Sequence, residues 1–470
     1  MKKNILFFFI IIISVSCSYK FKFDIDPEDS NIFINQRLIP NKSIYNSKKR
    51  IINIKINRRG YLDHQNIYKK IIPLGKKKVK INLEPEKYMV EVKTLNDKSD
   101  LLFNSKKVEE TPCKLELNYG IYNMVLSSKN FADQEIRVEA KRNGELLFRH
   151  QKDQIYAKQV GIFNCGSLPK QVIFSPDNKY IYFLILDGYG FEVFDIDTLR
   201  VIKKVDAPMN KELKGFAEGL FIKEKNTFLM SQMTTGLIYE YSYPENNFIR
   251  TIETKGIWSK FIAWSNVLQV IAISNWSSND VSIVEYSTGR LIKRIPTAAA
   301  PRGLVFSNDG KYLYVTSFDG GKIQKFNTSD WKEENYIFKL NGAMRHIVKT
   351  KDDMKLYVSN MYHDEIYEID SKEFKIINTF KVFDNPNTIE LTPDDRYLYV
   401  SCRGKNAVET YLTRSPDNGK IVVIDLENKK IFYSIESGNQ PTGLGLSADG
   451  NYLCFSNFRD NNFELYWIGK

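Results

Sequence analysis

The sequence predicts an all-β protein: a seven-bladed β-propeller over residues 152–470, preceded by one or two small β-sandwich modules over residues 18–85 and 86–150. Three observations carry this. Phe306-Ser307-Asn308-Asp309-Gly310-Lys311-Tyr312-Leu313-Tyr314-Val315 has close copies at Phe174–Phe183 and Leu391–Val400, and shorter ones from Thr350 and Leu446. Degenerate copies at Phe221-Ile222-Lys223 and Trp264-Ser265-Asn266 bring the number to seven. Anchored on Ser175, Ile222, Ser265, Ser307, Thr350, Thr392 and Ser447, the copies are 47, 43, 42, 43, 42 and 55 residues apart, the spacing of propeller blades.

At the N-terminus, Lys2 and Lys3 precede an apolar run, Ile5–Ile13, followed by Ser14-Val15-Ser16-Cys17. This is the pattern of a signal peptide over residues 1–17, too short for a membrane span, which needs about 20 apolar residues. The small residues before Cys17 resemble a lipobox, loosened as in spirochaetes because Ser14 stands where Leu is usual. That resemblance implies a chain lipidated at Cys17, anchored in a membrane and localised to the cell envelope. An uncleaved anchor or an ordinary secreted protein is the alternative. The other cysteines, Cys113, Cys165, Cys402 and Cys454, lack ligand spacing, so no metal or other cofactor is expected and Cys165 and Cys454 read as small hydrophobes.

Residues 18–150 are β-rich but do not share the repeat. Asp26-Pro27-Glu28 with Ile51–Ile56, and Thr111-Pro112-Cys113 with Tyr119-Gly120-Ile121 and Gln134–Val138, resemble PEGA domains, which implies spacer or contact modules. Between Lys42 and Lys80 lie thirteen Lys and Arg against one acid, Asp63. Two readings compete: contact with anionic lipid head groups, at roughly 1 kcal/mol for each near-surface cation, or a solvated strand face. The whole chain of 470 residues carries a net charge of +12 on a background rich in both signs, with 43% hydrophobic and 26% charged residues. Such a chain is globular, and its charge steers a partner only where it is concentrated. An exported chain with no recognisable nucleic-acid module is not expected to bind nucleic acid. Its oligomeric state is not legible.

Within each repeat, an apolar strand leads through a tight Asp-Gly or Asp-Asn turn to a strand rich in Tyr and Val, then to a third and a fourth. The seventh copy ends at Glu464–Ile468 without a fourth strand. Gln154–Val160, upstream of the first copy, is expected to supply it and close the ring. Tyr314-Val315-Thr316-Ser317, Tyr357-Val358-Ser359-Asn360 and Tyr399-Val400-Ser401-Cys402 resemble the YVTN repeat of YncE-like propellers. That family includes binding proteins, surface-layer-like proteins, lactonases and cofactor-dependent enzymes, so the resemblance specifies fold rather than function.

Propellers bind at the mouth of the central channel, from loops leading into the innermost strands. Five residues before each anchor stand Lys170, Ala217, Lys260, Arg302, Arg345, Asn387 and Thr442. The four cations, gathered around one axis, point to an anionic ligand, a glycan or an acidic protein segment, held also by Asn387 and Thr442. The competing reading has them fanning into water. His346 and Glu218 are the only aligned candidates for acid/base work, which leaves a lactonase-like hydrolase as the alternative to a binding module, with a purely structural envelope protein as a third. A sixth-blade insert, Glu409–Gly419, carries Tyr411, Leu412 and Arg414, residue types found at interfaces.

Overall fold

The computed structural model describes residues 19–47, 49, 51–69, 76–95, 97–208 and 214–469, and Cys17 lies outside them. Two compact units divide the chain. One holds residues up to Val90 with Leu115–Ile121 and Ala140–Asn143; the other holds Glu91–Lys114, Tyr122–Glu139 and Gly144–Lys470. Most of the second expected module therefore falls in the same unit as the propeller.

In the first unit, strands Tyr19–Asp26, Ile44–Ser47 and Lys76–Asn82 make one sheet, and Asn31–Ile34, Arg37–Ile39, Ile51–Asn57 and His64–Lys69 another. Strict alternation sends Phe21, Phe23 and Ile25 inward with Ile32, Ile34, Ile52, Ile54, Ile56, Val79 and Ile81, forming one core. The same alternation leaves Lys20, Lys22, Lys76, Lys78 and Lys80 exposed. Parallel pairing sets Lys20 opposite Lys76 and Lys22 opposite Lys78. Part of the basic stretch, including Lys48, Arg50 and Lys70, lies outside the described residues.

In the second unit, six four-stranded antiparallel sheets follow one another from Pro169–Asp206 to Pro386–Glu436. The chain is all-β, as expected; one short 3₁₀ turn, Lys223–Lys225, is the only helical element among the described residues. The anchor residues explain the repeat. Ser307 Oγ donates to Asp309 Oδ1 at 2.7 Å and accepts the N–H of Tyr312 at 2.9 Å, while Asp309 accepts the N–H of Lys311 at 3.0 Å. Gly310 turns at φ 71°, a left-handed conformation that favours Gly, Asn or Asp. Asn178, Asp353 and Asp395 hold the same place at φ 59°, 60° and 57°.

The seventh sheet is Pro441–Leu446, Tyr452–Asn457 and Asn462–Trp467, closed by Lys158–Asn164. The ring is thus sealed by both ends of the domain, but by a strand four residues further on than Gln154–Val160. Ile155 and Ala157 are used elsewhere, packed with Tyr399, Ile421, Tyr433 and Tyr466 between the last two blades. Lys158–Asn164 also pairs with Gln134–Ala140 and Gly144–Phe148 on its other side, so blade seven continues into the preceding module. At that seam the Glu464 carboxylate, fully buried, accepts from Arg149 Nε at 2.9 Å and from Gln159, Asn457 and Tyr466 at 3.0 Å each.

Cys113, Cys402 and Cys454 are buried free thiols and Cys165 is half-buried. Burial pushes the Cys402 and Cys165 thiols far up, consistent with small hydrophobes.

Candidate ligand-binding site

Each innermost strand begins beside the end of its neighbour, as Pro301 opposite Ser317 shows, then slips register before Leu304 meets Val315. The slip leaves an N–H without a ladder partner. The hydroxyl of the repeat motif fills the gap: Thr316 Oγ1 accepts from Gly303 N at 2.9 Å, Ser274 Oγ from Phe261 N at 3.0 Å and Ser359 Oγ from His346 N at 3.1 Å. Ser274 and Ser359 also donate to the carbonyls of Arg302 and Asn387 in the next blade. At blade seven the strands approach closely enough that a Cβ on Gly443 would sit 2.8 Å from the Val172 nitrogen. The YVTN-like motif therefore builds a bulge on which the second residue of each innermost strand is presented, next to a buried residue rather than in a loop.

Those second residues are Lys170, Ala217, Lys260, Arg302, Arg345, Asn387 and Thr442. They belong to strands, not to the loops from which ligand contacts were expected. The cations do converge. Burial first, then Arg345, Arg403, Arg302 and Lys260 in that order, hold the Lys170 ammonium well below the usual lysine range. Burial and Arg345 lower Lys260 to about 7, partly offset by Asp319 on the rim. Lys170 lies over the Phe458 ring at 5.2 Å and Lys260 over Trp276 at 3.7 Å, so neither fans freely into water.

Arg403 is a fifth cation that alignment on the first strand misses. It follows the second strand, where the other blades place Leu186, Met233, Trp276, Phe318, Met361 and Phe458, and its departure from that apolar column was the available signal. Its guanidinium donates to Gln440 Oε1 and, at 3.3 Å, to the Tyr411 carbonyl of the insert. The insert thereby reaches the basic cluster through its backbone. Arg414 is committed to Asp460, while Tyr411 and Leu412 are exposed.

Several polar groups here are unsatisfied among the described residues. Asn387 is fully buried with both amide atoms unpaired, and Arg302 Nε and Nη1 and Arg403 Nε are orphaned; Arg345, 8% exposed, has no hydrogen-bond or ion-pair partner within the protein among the described residues. Such groups normally find partners. Thr442 differs, since its hydroxyl donates to the Gln440 carbonyl at 3.0 Å, and Ala217 offers only a methyl group.

The acid/base candidates are both engaged. Glu218 of blade two forms a buried ion pair with Arg302 of blade four. His346 Nδ1 accepts the N–H of Ile389 at 3.4 Å, and burial, with Arg302 and Arg345, lowers its imidazole to about 3. It is neutral at physiological pH and bridges blades five and six.

Residues 292–470 match the family described as Lactonase, 7-bladed beta-propeller. The chain is also 34% identical over 352 residues to Antigen Lp49 of Leptospira interrogans serogroup Icterohaemorrhagiae, an alignment covering 73% of this chain and 76% of the relative. The chain belongs to the Lp49 family of seven-bladed β-propellers. Within it lies a further likeness, 25% over 154 residues, to the Seven-bladed beta-propeller protein Rv1057 of Mycobacterium tuberculosis, spanning 32% of this chain and 39% of that protein. Among solved structures, Kuenenia stuttgartiensis Hydrazine Synthase superposes with a TM-score of 0.55 at 16% identity, covering 63% of this chain and 95% of that one. A chain of the Mitotic Checkpoint Complex does so with 0.57 at 12%, covering 66% and 92%. Identities that low establish shared fold alone. The Lp49-family blades thus supply a scaffold, and the basic mouth has to be read from its own residues.

Proposed function

We propose that this chain is an exported cell-envelope lipoprotein whose propeller binds an anionic partner, an acidic glycan or acidic protein segment, at the mouth of its channel. The observation that carries the reading is the convergence of Lys170, Lys260, Arg302, Arg345 and Arg403 around the channel mouth, with Arg345 left without a counter-ion among the described residues. Keeping unpaired charge buried costs folding stability, and an anionic ligand supplies the missing partner.

The test is titration of the full chain with a hexaglutamate peptide and with an oligogalacturonate. Arg345→Gln and Lys170→Gln are each expected to weaken binding about tenfold, the loss of one charge-assisted contact. Binding should also weaken as pH rises past about 7, where Lys260 gives up its proton. Equal binding by wild type and both variants would sink the proposal.

Attachment at Cys17, next to the first module with its exposed Lys20, Lys22, Lys76, Lys78 and Lys80, is part of the same reading. Three of these lysines lie on an edge strand, where Lys also guards against aggregation. Lys20 and Lys22 lie on the central strand, which needs no such guard, and anionic head groups suit the Lys20–Lys22 end of the face, exposed Asp24 standing opposite Lys80 at the other. Metabolic labelling with palmitate should mark the wild-type chain and be absent from Cys17→Ala; equal labelling of both would refute the anchor.

A further inference from the structure

The channel does not run open from end to end. Across it, Glu218 pairs with Arg302, the Arg302 guanidinium lies 5.9 Å from the Phe261 ring, and that ring meets His346 edge-on at 5.2 Å. These residues come from blades two to five and form a septum beneath the basic mouth. Below it is a chamber of about 760 Å³ that reaches the turns joining first and second strands.

Its wall has one anomaly. The fifth residue of each innermost strand is Ile173, Leu220, Ala263, Val305, Val348, Glu390 or Gly445, paired in every blade with the third residue of the second strand, as Val305 with Tyr314 and Glu390 with Tyr399. Six blades are apolar there. At this position blade six alone places a carboxyl, Glu390, which has no hydrogen-bond or ion-pair partner among the described residues. Other charged groups line the same space, among them a second blade-six carboxyl, Asp395. Lys349 is held by Asp353 and Asn308, Asp395 accepts the N–H of Lys351 at 2.8 Å, Lys351 is exposed at the turn, and His346 is neutral.

We propose that this lower chamber is a second binding site, separate from the basic mouth, for an organic monocation carrying its ammonium or guanidinium on an apolar body. Glu390 supplies the counter-charge. Leu220, Val305 and Val348 line the space for the body, together with the aromatic side chains of Phe221, Phe261 and Trp264. A chamber of this volume is of small-molecule size. Burial pushes the Glu390 carboxyl up to about 8, so a cation taken up beside it is expected to release a proton to solvent.

The test is calorimetric titration of the full chain with phenethylammonium near neutral pH, in two buffers of different ionisation enthalpy. Binding with release of a proton is expected. Glu390→Gln, which keeps the volume, should cost about tenfold or more in affinity and abolish the proton release. An unaltered melting curve for Glu390→Gln shows that the loss is not unfolding. No binding at millimolar phenethylammonium, equal binding of the neutral phenethyl alcohol, or undiminished binding by Glu390→Gln would overturn the proposal. None of these outcomes bears on the anionic site above the septum.

Discussion

A chain beginning at Cys165 will show no cooperative thermal transition, although it retains all seven copies of the repeat. Without Lys158–Asn164, blade seven ends at Asn462–Trp467 with an open edge, and the ring has no seal. A chain beginning at Lys158 keeps that strand but loses Arg149, and with it the ion pair to Glu464. Breaking one side of a buried pair leaves an uncompensated charge and costs about 3–5 kcal/mol. The second chain should therefore fold but melt well below the full-length protein. Circular dichroism melts of the three chains decide the matter; a full-length-like transition in the chain from Cys165 would mean that the ring holds without its closing strand.

The cations of the mouth will respond to neutralisation with opposite signs. Arg302→Met strands Glu218 in the septum and should destabilise by about 3–5 kcal/mol. Arg345→Met removes a buried charge that has no partner and should stabilise the unliganded protein by about 1 kcal/mol. Chemical denaturation of both variants reads the difference, and destabilisation of equal size would show that Arg345 is structural. The pH dependence has a fixed sign. The Lys260 ammonium is lowered to about 7 in the folded chain against 10.5 for the ordinary group, so the unfolded chain binds more protons between those values and stability rises with pH across that window. Affinity for an anion falls over the same range. Stability and binding should thus move in opposite directions, as expected of a site whose charge is retained for a ligand.

The fold was legible because its signals are local and repeated. Ser307 and Asp309 set one turn, and that chemistry recurs in five blades, with room between Ser175 and Ser307 for two degenerate copies, so blades are announced whatever the rest of the chain does. The ring of second residues followed from the same register: once the anchors are aligned, Lys170, Lys260, Arg302 and Arg345 fall into one column. Arg403 did not, because it belongs to a different column, after the second strand, where a basic residue reads as an ordinary loop residue.

What each group faces was decided by the closed ring. In a strand, Glu390 is one polar position in an alternating pattern, indistinguishable from a residue facing water; only the closed ring shows it to be the one carboxyl at a position that the other six blades fill with apolar residues. Glu218 and Arg302 stand 84 residues apart, and no local pattern foretells that they meet across the channel. The same holds for Arg149 and Glu464, separated by 315 residues, whose pairing joins the preceding module to blade seven. Local hydrogen bonding and side-chain alternation, which act over a few residues, determined the strands, turns and blade number from sequence. Burial and charge pairing act between residues distant in the chain, so the septum, the chamber beneath it and the seal of the ring exist only once the tertiary structure brings those residues together.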